Sequence, residues 1–387
     1  MDYSKYPRST NRRSFIKKAG ILAGSSSLIL PQLSLFGCQP GGNAQESPSE
    51  EGAMQQQDKL GIALVGLGNY SSGQLAPALQ ETEKCYLAGI VTGTPAKAQE
   101  WKQQYNIPEE NVYNYETYDQ IAENEDIDII YVVLPNSMHA EYTIRAAQAG
   151  KHVICEKPMA TSVADCQRMI DACNENDVKL SIGYRLHFEP HHQRVMELGQ
   201  EQLYGAVKSM EAAHSFRIGG DPDRWRLDQA LSGGGPLMDV GIYCVQGAIY
   251  TVGEEPSAVS ASFGEVTRPE YFDEVEQSIS WQMEFPGGAV ADCRSSYNEG
   301  ENLLYGEAEN GWWRLQPAYS YGGIQGETSE GAMGLPNVNQ QARQMDAFAE
   351  CIKQNKESRV PGTMGLRDVR ILEAIYEAAR SGNKVNL

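Results

Sequence analysis

The chain has 387 residues, 41% of them hydrophobic, and its 51 acidic residues outnumber 32 basic ones to give a net charge of -19. This length and apolar content suit two domains of ordinary size with substantial cores, which excludes wholesale disorder. The acidic balance argues against nucleic acid as a partner, because phosphate backbones bind cationic surfaces. The eight cysteines form no CxxC pair, so we expect neither a disulfide framework nor a metal site.

The first 37 residues resemble an export signal. Cationic residues are concentrated at the start, and Arg12-Arg13, followed by Phe15, Ile16 and Lys17, resembles a twin-arginine signal ahead of an uncharged stretch. A membrane-spanning helix or a basic membrane-surface arm is the alternative. Because twin-arginine export moves folded proteins, this signal predicts a periplasmic protein with a tightly bound cofactor.

Residues 38–58 form the next segment. Cys38 follows a sequence similar to a lipoprotein cleavage box, which makes a lipid anchor at Cys38 an open possibility. The rest of the segment is rich in Gly, Gln, Ser and Glu, which predicts a flexible arm or tether. Residues 1–37 carry a net charge of +5, so the chain after them carries -24.

A nucleotide-binding turn is predicted where the first apolar strand, residues 60–65, ends. The strand leads into Gly66-Leu67-Gly68-Asn69-Tyr70-Ser71 and then into a helix over residues 72–81. In this context Gly66 makes a tight turn and Gly68 lets backbone amides approach a pyrophosphate at the helix N-terminus. The third motif position is Ser71 rather than Gly or Ala, and a plain loop is the alternative.

The second strand, residues 85–91, indicates which dinucleotide binds. No acidic residue lies between Tyr86 and Lys97, where an NAD site usually places a carboxylate against the ribose 2'-hydroxyl. Thr92 and Lys97 suit a 2'-phosphate instead, so NADP is favoured over NAD. The alternative is that Lys97 only solvates a helix start.

Further strands at residues 128–134, 152–155 and 180–185 alternate with helices, one of them at 163–174. This alternation predicts an α/β fold, with a doubly wound parallel sheet in a Rossmann domain spanning residues 59–185. Ligands of such sheets bind beyond the carboxyl ends of the strands. The loop residues found at those ends are Pro135, Asn136, His139, Glu156, Lys157 and Arg185.

The second half, residues 186–387, is richer in strands. Runs at 207–216, 258–266, 276–285 and 289–297 predict an α+β domain with a large, open, mainly antiparallel sheet, one face of which is free for a lid or partner subunit. Helices at 345–355 and 366–380 are expected to pack back on the first domain. The aromatic residues Trp312, Trp313, Tyr319 and Tyr321 are interpreted as interface or core residues, with stacking on a sugar ring as the alternative.

The densest polar group in this half follows Gly233-Gly234-Gly235. Asp239 and Tyr243 are four residues apart, so they share one face if a helix begins after the glycines, although a capping Asp above a core Tyr is an alternative. Trp225 and Arg226 lie just upstream. The nearby His187, His191 and His192 are within reach of the cleft, but most of them are expected to be solvent-exposed.

Several of these motifs together resemble the glucose-fructose oxidoreductase and inositol dehydrogenase family, over residues 60 to the C-terminus. They are the Gly66 turn, the Pro135-Asn136 and Glu156-Lys157-Pro158 segments, Trp225-Arg226, and the run from Gly233 to Tyr243. Many members have His where Tyr243 stands. Tyr at that position, the export signal and the Thr92/Lys97 pair look most like the exported branch with non-dissociating NADP.

The resemblance implies a role for each of three residues. Lys157 would lie between nicotinamide and substrate, Asp239 would hold a sugar hydroxyl, and Tyr243 would exchange the proton. A tyrosine has a reference pKa of about 10, too high for a base near neutrality, and a neighbouring cation favours its ionised form. The residues assigned to cofactor binding are Gly66, Leu67, Gly68, Asn69, Tyr70, Thr92, Lys97, Leu134, Asn136, His139, Glu156, Lys157, Arg185, Trp225 and Arg226.

The sequence therefore predicts an exported oxidoreductase that transfers hydride between a sugar and tightly bound NADP. A glycosidase that oxidises its sugar transiently and a non-catalytic sugar-binding lipoprotein are the alternatives. The family's habit implies a homo-oligomer, a dimer or a tetramer.

Overall fold

The computed structural model describes residues 58–387. The predicted export signal at residues 1–37, the Cys38 position and all but the last residue of the predicted arm lie outside this range. Two sheets, of six and nine strands, organise the described chain. None of the helices between residues 58 and 387 is long and apolar enough to cross a membrane.

The first sheet is a parallel Rossmann sheet in the order β3-β2-β1-β4-β5-β6. Its central strands are almost wholly apolar and buried because helices cover both faces. The strands are β1 Leu60–Val65, β2 Cys85–Val91, β3 Val112–Tyr113, β4 Ile129–Val132, β5 His152–Cys155 and β6 Leu180–Ile182. A π-helical turn Ser71–Leu75 runs into α1 Ala76–Leu79, followed along the chain by α2 Pro95–Tyr105, α3 His139–Gln148 and α4 Val163–Glu175.

The second sheet has the order β14-β13-β12-β11-β7-β10-β9-β8-β15, and only its β7–β10 pairing is parallel. The predicted fold class, a Rossmann domain followed by a mainly antiparallel sheet, is confirmed. The four predicted strands correspond to β7, β8, β9 and β10, which are consecutive neighbours in this sheet. The strands are β7 Val207–Ser215, β8 Ala258–Phe263, β9 Ser278–Glu284, β10 Val290–Ser296, β11 Glu301–Ala308, β12 Gly311–Leu315, β13 Gly326–Thr328, β14 Gly331–Ala332 and β15 Val385–Asn386.

The second half also carries more helix than its strand-rich pattern predicts. Its helices are α5 Pro190–Gln200, α6 Gln229–Ser232, α7 Ile242–Val252, α8 Gln340–Lys353 and α9 Gly362–Ser381. A π-helical turn, Leu237–Gly241, leads directly into α7. Nearly every residue of α7 is buried, because it packs against α5 on one side and against β7 and β10 on the other.

The two C-terminal helices connect the halves of the molecule. Helix α8 places Met345 and Phe348 in the same apolar cluster as Ile62 and Leu64 of β1. Helix α9 packs between α4 and β8. The carboxyl edge of the first sheet is thereby held against the start of α7.

The expected exposure of most of the three neighbouring histidines is wrong. His187, His191 and His192 are 6%, 3% and 0% exposed. His187 Nε2 lies 2.7 Å from Gln246 Oε1, and His192 contacts the Tyr250 hydroxyl and, at 2.7 Å, the Ala318 carbonyl. The partners of these ring nitrogens lie far away in the sequence. The polar residues next to His187 and His192 therefore could not indicate that the two side chains are buried.

Candidate active site

A cavity of about 870 Å³ lies between the carboxyl edge of the first sheet and the start of α7. Every residue that the sequence analysis assigned to a catalytic or cofactor-binding role lines this one cavity. They are Gly66, Leu67, Gly68, Asn69, Tyr70, Thr92, Lys97, Leu134, Asn136, His139, Glu156, Lys157, Arg185, Trp225, Arg226, Asp239 and Tyr243.

The turn after β1 has the shape of a pyrophosphate cradle. Gly66 has φ +94°, and a Cβ there would lie 2.4 Å from the Val133 carbonyl oxygen. A Cβ on Gly68 would meet nothing within 4 Å, so the approach from the cavity is open. The buried Ser71 hydroxyl donates to the Gly66 carbonyl at 2.6 Å. Ser71 therefore ties the turn together where other such motifs have a small third residue, and the turn fits a dinucleotide.

The end of β2 presents hydroxyl groups and a cation to the cavity. Thr92 is buried there, and Lys97 Nζ donates to the Leu67 carbonyl at 2.9 Å. Among the described residues that line the cavity, the carboxylates are Glu156 and Asp239, and neither follows β2. This end of the cavity therefore suits a 2'-phosphate better than a ribose 2'-hydroxyl.

The loops after β4 and β5 are tied to each other and to the second half. His139 places its two ring nitrogens 2.8 Å from the carbonyl oxygens of Pro158 and Leu134. Asn136 Nδ2 donates to the Ser232 carbonyl at 2.8 Å. Both side chains line the cavity, and their hydrogen bonds hold the loops around it in place.

Glu156 is a buried carboxylate next to Lys157. It accepts hydrogen bonds from the Tyr131 hydroxyl at 2.8 Å and from the Lys157 amide at 3.2 Å. Burial raises its pKa above the ordinary value, although the Lys157 charge opposes that rise. A Cβ on Gly183 would lie 2.5 Å from Glu156 Oε1, so a glycine after β6 leaves room for this carboxylate.

Lys157 and Asp239 meet at the other end of the cavity. Lys157 Nζ lies 2.5 Å from the Asp239 carbonyl oxygen and 3.5 Å from Oδ1. Asp239 Oδ2 accepts from Arg226 Nε at 3.1 Å and from the Tyr297 hydroxyl at 2.9 Å. Burial opposes ionisation, but the charges of Arg226 and Lys157 and the Tyr297 hydrogen bond outweigh it and hold the pKa of Asp239 at about 2. Asp239 is therefore an ionised hydrogen-bond acceptor at neutral pH.

Tyr243 lies in the first turn of α7 and is 8% exposed. Lys157 Nζ lies 4.8 Å from the centre of its ring, and Arg185 Cζ lies 5.1 Å from it. Two positive charges thus lie beside the ring of Tyr243, which follows Asp239 by four residues.

Arg185 bridges the two halves of the molecule. Its guanidinium donates to the Tyr319 carbonyl at 2.6 Å, to the Ser320 carbonyl at 3.2 Å and to Gln340. It also lies 4.5 Å from the ring centre of Tyr321, whose ring is 5.7 Å from that of Tyr70. Arg185 therefore fixes the 319–321 segment over the cavity, a role that its position after β6 did not suggest.

Sequence reasoning missed two residues at this end of the cavity. Tyr297 donates to Asp239, and His214 stacks on Tyr319 at 4.9 Å with its ring 5.3 Å from that of Tyr243. Burial lowers the pKa of His214 to about 3, so its imidazole is neutral. His214 lies near the carboxyl end of β7, and Tyr297 directly follows β10, its parallel neighbour. The parallel pairing of these two strands, which the sequence does not reveal, is what brings both residues to the cavity.

The four aromatic residues of the 312–321 region have different environments. Trp313 is fully buried in the core, and Trp312 lies near Tyr305, with ring centres 6.3 Å apart. Tyr319 and Tyr321 both line the cavity, at 2% and 47% exposure. The preferred interpretation, core or interface, thus holds for Trp313 and for Tyr319, which belong to the same apolar cluster, although Tyr319 also lines the candidate site with Tyr321.

Comparisons with known proteins agree with this geometry. Residues 60–184 match an oxidoreductase family with an NAD-binding Rossmann fold, and residues 192–309 match the GFO/IDH/MocA C-terminal domain. The structure of aldose-aldose oxidoreductase from Caulobacter crescentus, complexed with glycerol, is 45% identical, covers 85% of this chain and 100% of that one, and superposes with a TM-score of 0.82. D-xylose 1-dehydrogenase [NADP(+)] of Haloarcula marismortui is 29% identical over 340 residues, which are 84% of this chain and 92% of that protein.

The Rossmann turn, the two-part cavity and these matches define a two-domain nucleotide-dependent oxidoreductase. The chain belongs to the GFO/IDH/MocA family of oxidoreductases, which confirms the resemblance drawn from its motifs.

Proposed function

We propose that the protein is an NADP-dependent sugar oxidoreductase in which Tyr243, assisted by Lys157, is the acid and base. One observation carries the proposal: a single cavity joins the Gly66 turn to the Lys157, Asp239 and Tyr243 cluster. The relatives support it, because one is an aldose-aldose oxidoreductase and another a D-xylose 1-dehydrogenase that names NADP(+).

NADP is the cofactor that fits the other end of the cavity. The backbone around Gly66 and Gly68 would hold the pyrophosphate, and Thr92 and Lys97 would face the 2'-phosphate. When bound, the nicotinamide supplies the group that accepts and returns hydride. The protein's own contribution is to place the sugar and to move its proton.

The three clustered residues divide that work. Ionised Asp239, held by Arg226 and Tyr297, accepts a hydrogen bond from a sugar hydroxyl and so orients the ring. The Tyr243 oxygen, as a phenolate, takes the proton of the reacting hydroxyl during oxidation, and the phenol so formed returns that proton to a carbonyl during reduction. Lys157 Nζ, 4.8 Å from the centre of the Tyr243 ring, places a positive charge beside the residue that exchanges the proton.

The test is spectroscopic. The purified protein is examined for bound nicotinamide, aldoses are added, and the absorbance of the reduced cofactor is followed. We expect reduction by at least one aldose and reoxidation by a second carbonyl substrate. A bound cofactor that no sugar reduces or reoxidises would contradict the proposed function.

We also propose that the protein is exported to the periplasm and forms a dimer or tetramer. The twin-arginine motif supports export, and mass spectrometry of the mature N-terminus would distinguish a free end from a lipid-bearing Cys38.

The outer face of the second sheet supports the proposed dimer or tetramer. Leu303 and Tyr305 lie on this face, because they alternate with buried Leu304. Light scattering after size-exclusion chromatography would measure the assembly, and a monomer at all concentrations would contradict it.

A further inference from the structure

Three hydrogen bonds converge on the carboxylate of Glu276, a half-buried residue just before β9. Its Oε2 accepts from the Gly235 amide at 2.9 Å, and its Oε1 accepts from the Leu237 amide at 3.1 Å. The hydroxyl of Tyr376, in α9, donates to the same Oε1 at 2.9 Å. Neither Glu276 nor Tyr376 is among the described residues that line the cavity.

The two amides belong to the turn that presents the reacting groups. Gly235 and Leu237 lie on either side of Pro236, which has no amide hydrogen, and Leu237 begins the π-helical turn that contains Asp239. The Asp239 amide donates to the Gly235 carbonyl at 3.2 Å. The two amides on either side of Pro236 are thus held by one carboxylate.

Glu276 and Tyr376 together explain two of the three consecutive glycines. A Cβ on Gly235 would lie 2.4 Å from the Glu276 carbonyl oxygen and 3.0 Å from its carboxyl group. A Cβ on Gly234 would lie 2.0 Å from the Tyr376 hydroxyl oxygen. These glycines are required because Glu276 and Tyr376 occupy the space that side chains would need.

We propose that Glu276, held by Tyr376, is a positioning residue that fixes Asp239 and Tyr243 against Lys157. The inference rests on the proposed function, because it assigns a task in that reaction. Glu276 acts through the backbone turn and touches no reacting atom. A displacement of about 1 Å in a reacting group can reduce turnover by roughly 10²-fold, so a turn held at its entry matters to catalysis.

The main test is E276Q, which keeps the side chain's shape. Because the two carboxylate oxygens accept from different donors, the amide nitrogen of Gln must face one N–H group that then has no acceptor. We expect kcat per bound cofactor to fall by about 10- to 100-fold. The Kd for NADPH should change by less than about threefold, because the cofactor end of the cavity is separate.

Two further variants separate positioning from stability. Y376F removes one of the three donors and leaves both backbone amides held, so kcat should fall by only about two- to fivefold. E189Q alters another carboxylate that caps a helix, at α5, by accepting from the His192 amide at 2.9 Å. E189Q should lower the thermal midpoint and leave kcat per bound cofactor within about twofold.

The outcomes are distinguishable. If E276Q loses thermal stability as E189Q does but keeps its kcat, Glu276 is only structural and the inference is overturned. If E276Q does not fold, an unchanged kcat in Y376F overturns the inference instead, and a reduced one supports it. A wild-type protein that binds NADP but turns over no sugar overturns the proposed function together with this inference.

Discussion

The two ends of the cavity are constructed differently. At the cofactor end, Gly66, Gly68 and Ser71 shape one turn within six residues of chain. At the substrate end, Asp239 is held by Lys157 and Tyr297, which come from distant parts of both halves. Local backbone geometry specifies the first end, and long-range charge pairs specify the second.

This difference indicates what each end contributes. Changes at the cofactor end should alter binding of the dinucleotide and leave the chemistry alone. Changes at the substrate end should alter turnover while the cofactor remains bound. Four predictions test that division, and they are arranged from the largest expected effect to the smallest.

Replacing Tyr243 with Phe should abolish turnover and leave NADP bound. Loss of a general acid and base typically costs 10²- to 10⁴-fold in rate, so we expect about a 10³-fold fall in kcat. Steady-state kinetics and the absorbance of the bound cofactor measure the two effects separately.

The matched control is Tyr250→Phe. Tyr250 is another tyrosine of α7, and its hydroxyl contacts His192 away from the cavity. It should lower stability while keeping kcat within about threefold. Unaltered turnover in Tyr243→Phe would remove Tyr243 from its role, and loss of bound NADP would show that the two ends are not independent.

Replacing Arg185 with Met should destabilise the whole protein, because this residue joins the two ends. The change leaves the buried Tyr319 carbonyl and the Gln340 side-chain oxygen without the guanidinium donor, at a cost of about 3 kcal/mol in unfolding free energy. Urea unfolding at neutral pH measures the change.

Arg314→Met is the control, since Arg314 forms a half-exposed ion pair with Glu327. It should cost less than about 1 kcal/mol. Equal losses in the two variants would show that the Arg185 bridge contributes no more than a surface pair.

The same contrast explains what the sequence could predict. The turn at the cofactor end could be predicted from the sequence because its strand, glycine turn and helix are contiguous, and each step has a local signature. Tyr297 and Glu276 were missed because their partners, Asp239 and Gly235, are defined only by the register and packing of the second sheet. His192 was misjudged for the same reason.

Element boundaries show a smaller failure of the same kind. Helix α8 begins at Gln340, more than a turn before the predicted residue 345, because Asn339 caps it by accepting from the Ala342 amide. That capping signal was present in the sequence. The short strands β12 to β15 carry too few residues for any alternation to be detected, and pairing with longer neighbours forms them.

Asp239 should make stability depend on acid pH. Its pKa of about 2 in the folded protein lies below the ordinary value of 3.8, so its contribution is fully present above about pH 4 and is lost as the pH falls through about 2. The shift corresponds to roughly 2 kcal/mol. The difference in unfolding free energy between wild type and Asp239→Asn should therefore narrow as the pH is lowered from 7 to 2.5.

Asp292→Asn is the comparison, because Asp292 is exposed and bonds only to Gln282. It should change stability by less than about 0.5 kcal/mol throughout. A constant difference between wild type and Asp239→Asn across this pH range would mean that the two cations do not hold Asp239 ionised more strongly than water does.

Replacing Lys97 with Ala has the smallest expected effect and tests the cofactor end directly. Lys97 also donates to the Leu67 carbonyl, so its loss should weaken NADPH and NADH alike through the turn. Only the attraction to a 2'-phosphate distinguishes the two cofactors, and the ratio of their Kd values isolates it. We expect that ratio to shift about tenfold toward NADH, or about 1.4 kcal/mol.

The control is Lys102→Ala, on the same helix, because Lys102 is paired with Glu109. It should leave the ratio unchanged. If both variants leave it unchanged, preference for NADP does not originate at the end of β2, and the cofactor end depends on more than its contiguous motif.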